Sequence, residues 1–173
     1  MVRIIGIDPG SYITGYALIK QEDDLLFLEG GGVVRAHKKL NKYDRLLFLY
    51  KQINEIIKNN TPEYAAIEDS FYYKNVKTSL YLGQVKGILI LAFMNNKCKI
   101  YEFTPLEIKK AVVGYGQASK EQVEYMVKRL LKVNTQIVYS DYYDAIAAAI
   151  CLSNMLNKNS SNLLIGDNEL KDK

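Results

Sequence analysis

Val2, Ile4, Ile5 and Ile7 precede an Asp-Pro-Gly stop at the start of the chain, and a β-branched run closed by turn residues predicts a strand over 2–8. Residues 14–20 and 25–34 read the same way. Three strands in so short a length leave room only for tight turns, so they form an antiparallel meander. Gly30-Gly31-Gly32 inside the third predicts a bulge or a close backbone approach. Leu46, Leu49, Tyr50, Ile53 and Ile57 then hold helical spacing over 43–58, up to the break at Thr61-Pro62. A short apolar strand follows at 64–68, then a long helical segment over 77–95 and a strand over 99–103.

Two capping boxes announce the next helices. Thr104-Pro105-Leu106-Glu107 places Thr at the cap, Pro at the first helical position and Glu three residues on, and Ser119-Lys120-Glu121-Gln122 repeats the logic. A last helix starts near Asp141 with Ala145, Ala148, Ala149 and Leu152 as its stripe. From 157 the chain turns polar and patternless, which predicts one domain over 1–156 and a flexible tail over 157–173. Strands that first run as a meander and then alternate with helices predict an α/β fold. Its core is a five-stranded mixed sheet, three strands antiparallel and the rest parallel, with helices on both faces.

Composition narrows the chemistry. At 173 residues, 49% hydrophobic and 24% charged, the chain can bury a real core. No uncharged apolar run reaches the roughly 18 residues that a membrane span needs, and the first residues lack the order of a secretory signal. Neither a membrane nor an exported location is therefore expected. Cys98, Cys151 and His37 cannot assemble a disulfide framework or a zinc set, which fits a reducing compartment. A net charge of +4 permits an anionic partner without demonstrating one.

Four carboxylates occupy unusual positions. Asp8 and Glu68 end strands, and Asp141 and Asp144 share one side of the last helix's first turn. Strand-end carboxylates in an α/β sheet project into the crevice where ligands bind. An oxygen-only set suits Mg²⁺ or Mn²⁺ rather than zinc, and a pair of such ions would serve phosphodiester hydrolysis. Each residue also has an ordinary explanation: Asp-Pro-Gly as a turn, Asp141 as an N-cap, Asp144 as a partner of the helix dipole, and Glu68 as a solvated strand end.

The wording around these residues goes further. The segments IIGIDPGSYITGYALI (4–19), AIEDSFYYKNVKTSLYLGQVKGILI (66–90), TPLEIKKAVVGYGQASKEQVEYMV (104–127) and SDYYDAIAAAIC (140–151) follow in order. Together they resemble the RuvC family of Holliday-junction resolvases, within the RNase H-like superfamily. The resemblance implies metal binding by Asp8, Glu68, Asp141 and Asp144, with Mg²⁺ (or Mn²⁺) as two ions per site. It also implies base stacking by Phe71, basic residues Lys109 and Lys120 near the scissile phosphate, and further DNA contacts from Lys74 and Lys86. In GQVKG (83–87) the family commonly has arginine where Lys86 stands, which keeps charge but loses bidentate phosphate geometry.

The implied activity is a structure-selective endonuclease that resolves four-way DNA junctions in recombination and repair. Its paired symmetric nicks leave 5′-phosphate and 3′-hydroxyl ends. It would act as a homodimer beside a RuvAB-like branch-migration complex in a bacterial cytoplasm. The rival readings are a RuvX-type (YqgF-like) nuclease of ribosomal RNA processing, an actin-like nucleotide-binding protein, and a junction binder without activity. Residues 77–95 supply the dimer expectation. Tyr81, Val85, Ile88 and Ala92 suffice to cover a sheet, yet Leu80, Leu82, Leu89, Ile90, Leu91 and Phe93 spread apolar surface around the helix, with Leu82 or Leu89 expected to face the partner.

Overall fold

A computed structural model describes residues 1–69, 76–132 and 139–166, with side chains as far as 157 in the last segment. The meander is β1 (Val2–Asp8), β2 (Ile13–Glu22) and β3 (Leu25–Arg35); β4 (Tyr64–Glu68) and β5 (Lys99–Phe103) complete a sheet of order β3-β2-β1-β4-β5. β1 pairs antiparallel with β2 and parallel with β4, and β4 pairs parallel with β5. The mixed sheet predicted from the pattern is therefore the one observed. The triple glycine carries both features expected of it. The β2–β3 register slips so that Leu18 faces Gly30 while Ile19 faces Leu28, leaving Glu29 as the extra residue. A Cβ on Gly31 would lie 2.5 Å from the Tyr142 ring.

Strand alternation divides the core into two layers. Ile5, Ile7, Ala65 and Ile67 face α1 (Lys42–Asn60) and α2 (Val76–Asn95). Ile4, Ala17, Ile19 and Ala66 face α3 (Pro105–Val113), α4 (Lys120–Leu130) and α5 (Ser140–Gly166). Local chemistry sets the helix ends. The Asn41 side chain accepts from the amides of Tyr43 and Asp44 at 2.9 and 3.0 Å, and Thr61, left-handed at φ 46°, closes α1 before Pro62. Both capping boxes form as predicted.

Two expectations need correction. α5 does not stop at 156 but continues to Gly166. Ser153 and Asn157 fasten its later turns to Gln21, with Ser153 Oγ donating to Gln21 Oε1 at 2.9 Å. Once packing holds a helix, adding residues is cheap, so a polar run does not end it. In α2 the fully buried residues are Val85, Leu89, Ala92 and Phe93. Leu89 and Phe93 therefore belong to the core, while Leu80, Leu91 and Met94 remain exposed at 66%, 52% and 63%. By length and composition alone α2 could cross a membrane. Its two lysines, Lys77 and Lys86, interrupt the run, and its buried stripe lies against the sheet.

Candidate active site

The strand period that buries Ile4 and Ala66 against α5 also points Asp8 and Glu68 to that face, at the carboxyl ends of two neighbouring parallel strands. They stand one position beyond the last paired rung, Ile7 with Ile67. Asp8 pairs across β2 with Gly15. A Cβ on Gly15 would sit 1.9 Å from the carbonyl oxygen of Asp141, and one on Gly6 would sit 2.0 Å from that of Ala145. Only glycine lets the first turns of α5 rest on the backbone of β1 and β2. That contact carries Asp141 and Asp144 to the end of the sheet where Asp8 stands. Glycine inside a strand is a sequence signal for close backbone approach, and Gly6 and Gly15 are two such positions.

Electrostatics record the convergence. Burial pushes the Asp8 carboxyl well above the usual carboxylate range, and the charges of Glu68, Asp144 and Asp141 push it further, against the opposing effect of Lys120. Glu68 is raised by burial and by Asp144, with Lys120 and Lys109 pulling the other way. The Lys120 ammonium donates to Asp144 Oδ2 at 3.0 Å, which holds its proton more firmly than usual. The four carboxylates and Lys120 are thus coupled at one end of the sheet, with half-buried Lys109 acting on Glu68.

A metal fits this set by chemistry. The donors are all carboxylate oxygens, the preference of a hard divalent cation, and the mutual repulsion of clustered like charges is offset when a cation binds. Among the described residues no three such side chains already converge at ligating spacing. Asp144 instead engages Lys120.

The remaining predicted residues divide. Lys86 is not free to meet DNA: its ammonium donates to Asp69 at 2.7 Å and to Glu102, and its side chain is 11% exposed. That lysine ties α2 to the ends of β4 and β5. Phe71 and Lys74 lie outside the described residues. Tyr142 and Tyr143 are buried at 3% exposure each, as core residues rather than a stacking surface. Cys98 and Cys151 are buried free thiols.

Known proteins resemble this chain in sequence and in fold. Residues 4–152 match the family described as crossover junction endodeoxyribonuclease RuvC. A protein of that description from Caldanaerobacter subterraneus is 43% identical over 160 residues, covering 91% of this chain and 97% of its own. One from Halothermothrix orenii is 41% identical over 156 residues, covering 90% and 94%. Thermus thermophilus RuvC, solved in complex with a Holliday junction substrate, superimposes with a TM-score of 0.86 at 24% identity, over 92% of this chain and 97% of that one. The matched span includes all four carboxylates and the first half of the helix that carries two of them, and the chain belongs to the crossover junction endodeoxyribonuclease RuvC family.

Proposed function

We propose that this chain is a divalent-metal-dependent endonuclease that resolves four-way DNA junctions. It makes paired symmetric nicks that leave 5′-phosphate and 3′-hydroxyl ends. The observation that carries this reading is the gathering of Asp8, Glu68, Asp141 and Asp144, from two strands and a helix, at one end of the sheet, where α5 rests on Gly6 and Gly15 and each carboxylate raises the Asp8 carboxyl or is itself raised. A protein that only bound DNA would gain nothing from negative charge clustered beside phosphates.

The four carboxylates would hold the cation, Mg²⁺ or Mn²⁺, as two ions. When bound, such ions activate a water and stabilise the leaving oxygen of a phosphodiester. Lys120, with 69% of its side chain exposed beside Asp144, is placed to turn toward a scissile phosphate and offset its developing charge. Lys109 contributes positive charge near Glu68. Phe71 stacks on a junction base and Lys74 contacts the backbone beside it. A homodimer supplies two such sites for two cuts. The exposed Leu91 and Met94 on α2 are the apolar surface that supports it. The enzyme works in a bacterial cytoplasm with a RuvAB-like branch-migration complex.

The test is cleavage of a labelled synthetic four-way junction against a linear duplex, with and without Mg²⁺. Cutting should require both the junction and the metal. Asp8→Asn should abolish cutting while leaving junction affinity intact or higher, because it removes negative charge near phosphates. Equal cutting of duplex and junction would overturn the substrate assignment.

A further inference from the structure

Two helices begin beside one hollow, each with a lysine in its first turn. Lys42 opens α1 and Lys77 is the second residue of α2, positions where a cation opposes the positive end of the helix dipole. The first turn of α2 holds no acidic residue, and the one in α1, Asp44, accepts from the Asn41 amide at 2.5 Å. Lys42, Arg45, Lys77, Leu80 and Tyr81 line the hollow, about 440 Å³ in volume.

Arg45 is the informative member. It is 8% exposed, its guanidinium lies 3.7 Å from the Tyr12 ring centroid and 5.6 Å from that of Tyr81, and its Nε has no hydrogen-bond partner. One Nη donates to the Leu40 carbonyl at 3.2 Å. Lys42 Nζ stands 5.3 Å from the Tyr81 ring centroid. Among the described residues neither Lys42 nor Arg45 forms an ion pair with a carboxylate, whereas Lys86 and Lys120 both do. Solvated lysines are ordinary on a helix face. A buried arginine stacked on tyrosine with no counter-charge is not, because burying a charge is costly unless it is paired.

We propose that this hollow seats backbone phosphates of the DNA strand running away from the scissile bond. The inference rests on the junction-nuclease reading and adds to it a second, separate contact surface. Proximity supports it: Tyr12 follows Asp8 by four residues, so the turn spans at most about 14 Å, a rise of about four nucleotides. The chemistry matches as well. Two helix N-termini and two lysines suit phosphate oxygens, and Tyr12 and Tyr81 offer ring faces to sugar or base. An acidic protein segment would satisfy the charge but not the closeness to the cutting site.

Lys42→Ala/Lys77→Ala tests this, since both side chains are exposed and a thermal melt confirms folding. Junction affinity is measured without divalent metal across a salt series. Losing two phosphate contacts should lower the slope of log affinity against log salt by about 1.8, so the wild-type advantage shrinks about twelvefold between 50 and 200 mM salt. An unchanged slope in a folded variant overturns the proposal. So does an unchanged slope accompanied by altered sedimentation, which would make the hollow a protein contact. Wild-type protein that neither binds nor cuts the junction would instead sink the nuclease reading on which the proposal rests.

Discussion

Replacing Asp8 with asparagine should make the metal-free protein more stable while removing its activity. Asp8 is half-buried beside Glu68, Asp144 and Asp141, all of which oppose its ionisation. Neighbouring strands lie about 4.8 Å apart, so one like-charge pair at roughly 5–8 Å and an effective dielectric of about 20 amounts to about 2–3 kcal/mol. Lys120 offsets part of this. A net gain of about 1–2 kcal/mol on neutralising the site corresponds to a rise in Tm of about 2–8 °C for a chain of this size.

The pH dependence has a definite sign. A carboxyl whose folded pKa is raised contributes stability that is fully present below the ordinary carboxylate value. That contribution is lost as pH rises through the folded value. The wild-type and Asp8→Asn melts should therefore coincide near pH ~4 and separate as pH rises, levelling once Asp8 is ionised in the native state. Mg²⁺ should then raise the wild-type Tm more than the variant's, because a ligand at about 100 times its dissociation constant adds about 2.7 kcal/mol to a protein that binds it. Thermal melts from pH 4 to 8, with and without Mg²⁺, measure both effects. An Asp8→Asn protein less stable than wild type at every pH, with Mg²⁺ moving both equally, would refute the account of a strained acidic cluster relieved by metal.

Gly15→Ala should force β2 and the Asp141 carbonyl apart, because the new Cβ would lie 1.9 Å from that oxygen; a loss of about 1–3 kcal/mol is expected in a denaturant melt, with cleavage reduced more than folding. Lys86→Ala should cost about 1–3 kcal/mol by leaving Asp69 and Glu102 unpaired, with no loss of junction affinity in a filter-binding or anisotropy titration. Leu91→Glu or Met94→Glu should give folded monomers by sedimentation where wild type runs at about twice 19.7 kDa. Leu89→Glu, in the core at 0% exposure, should unfold the chain instead.

Much of this molecule is determined by local sequence. Strand alternation fixes that Ile5 and Ile7 go one way while Asp8 goes with Ile4 to the other face. The capping residues at Thr104 and Ser119 fix where α3 and α4 begin, and Lys120 is carried by the second of them. Periodicity and caps act within a few residues, so they are legible without knowing the neighbours. The motif wording extends that reach to the acidic set, since those residues recur in a recognisable order.

Other features depended on elements distant in the chain. Nothing near Lys86 says that Asp69 and Glu102 will flank it, because β4 and β5 bring them there only when the sheet forms. The choice between Leu82 and Leu89 as the buried side of α2 depended on where the helix lands on the sheet, since an all-round apolar helix carries no stripe to read. Gly6 and Gly15 look like any strand glycines until α5 lies across them, and Gln21 meets Ser153 and Asn157 only once α5 packs against β2. Arg45, in a polar run at the start of α1, became a buried cation only through Tyr12 on the β1–β2 turn and Tyr81 on α2. Local sequence sets which way each side chain points along its own element; long-range packing alone decides what it meets there.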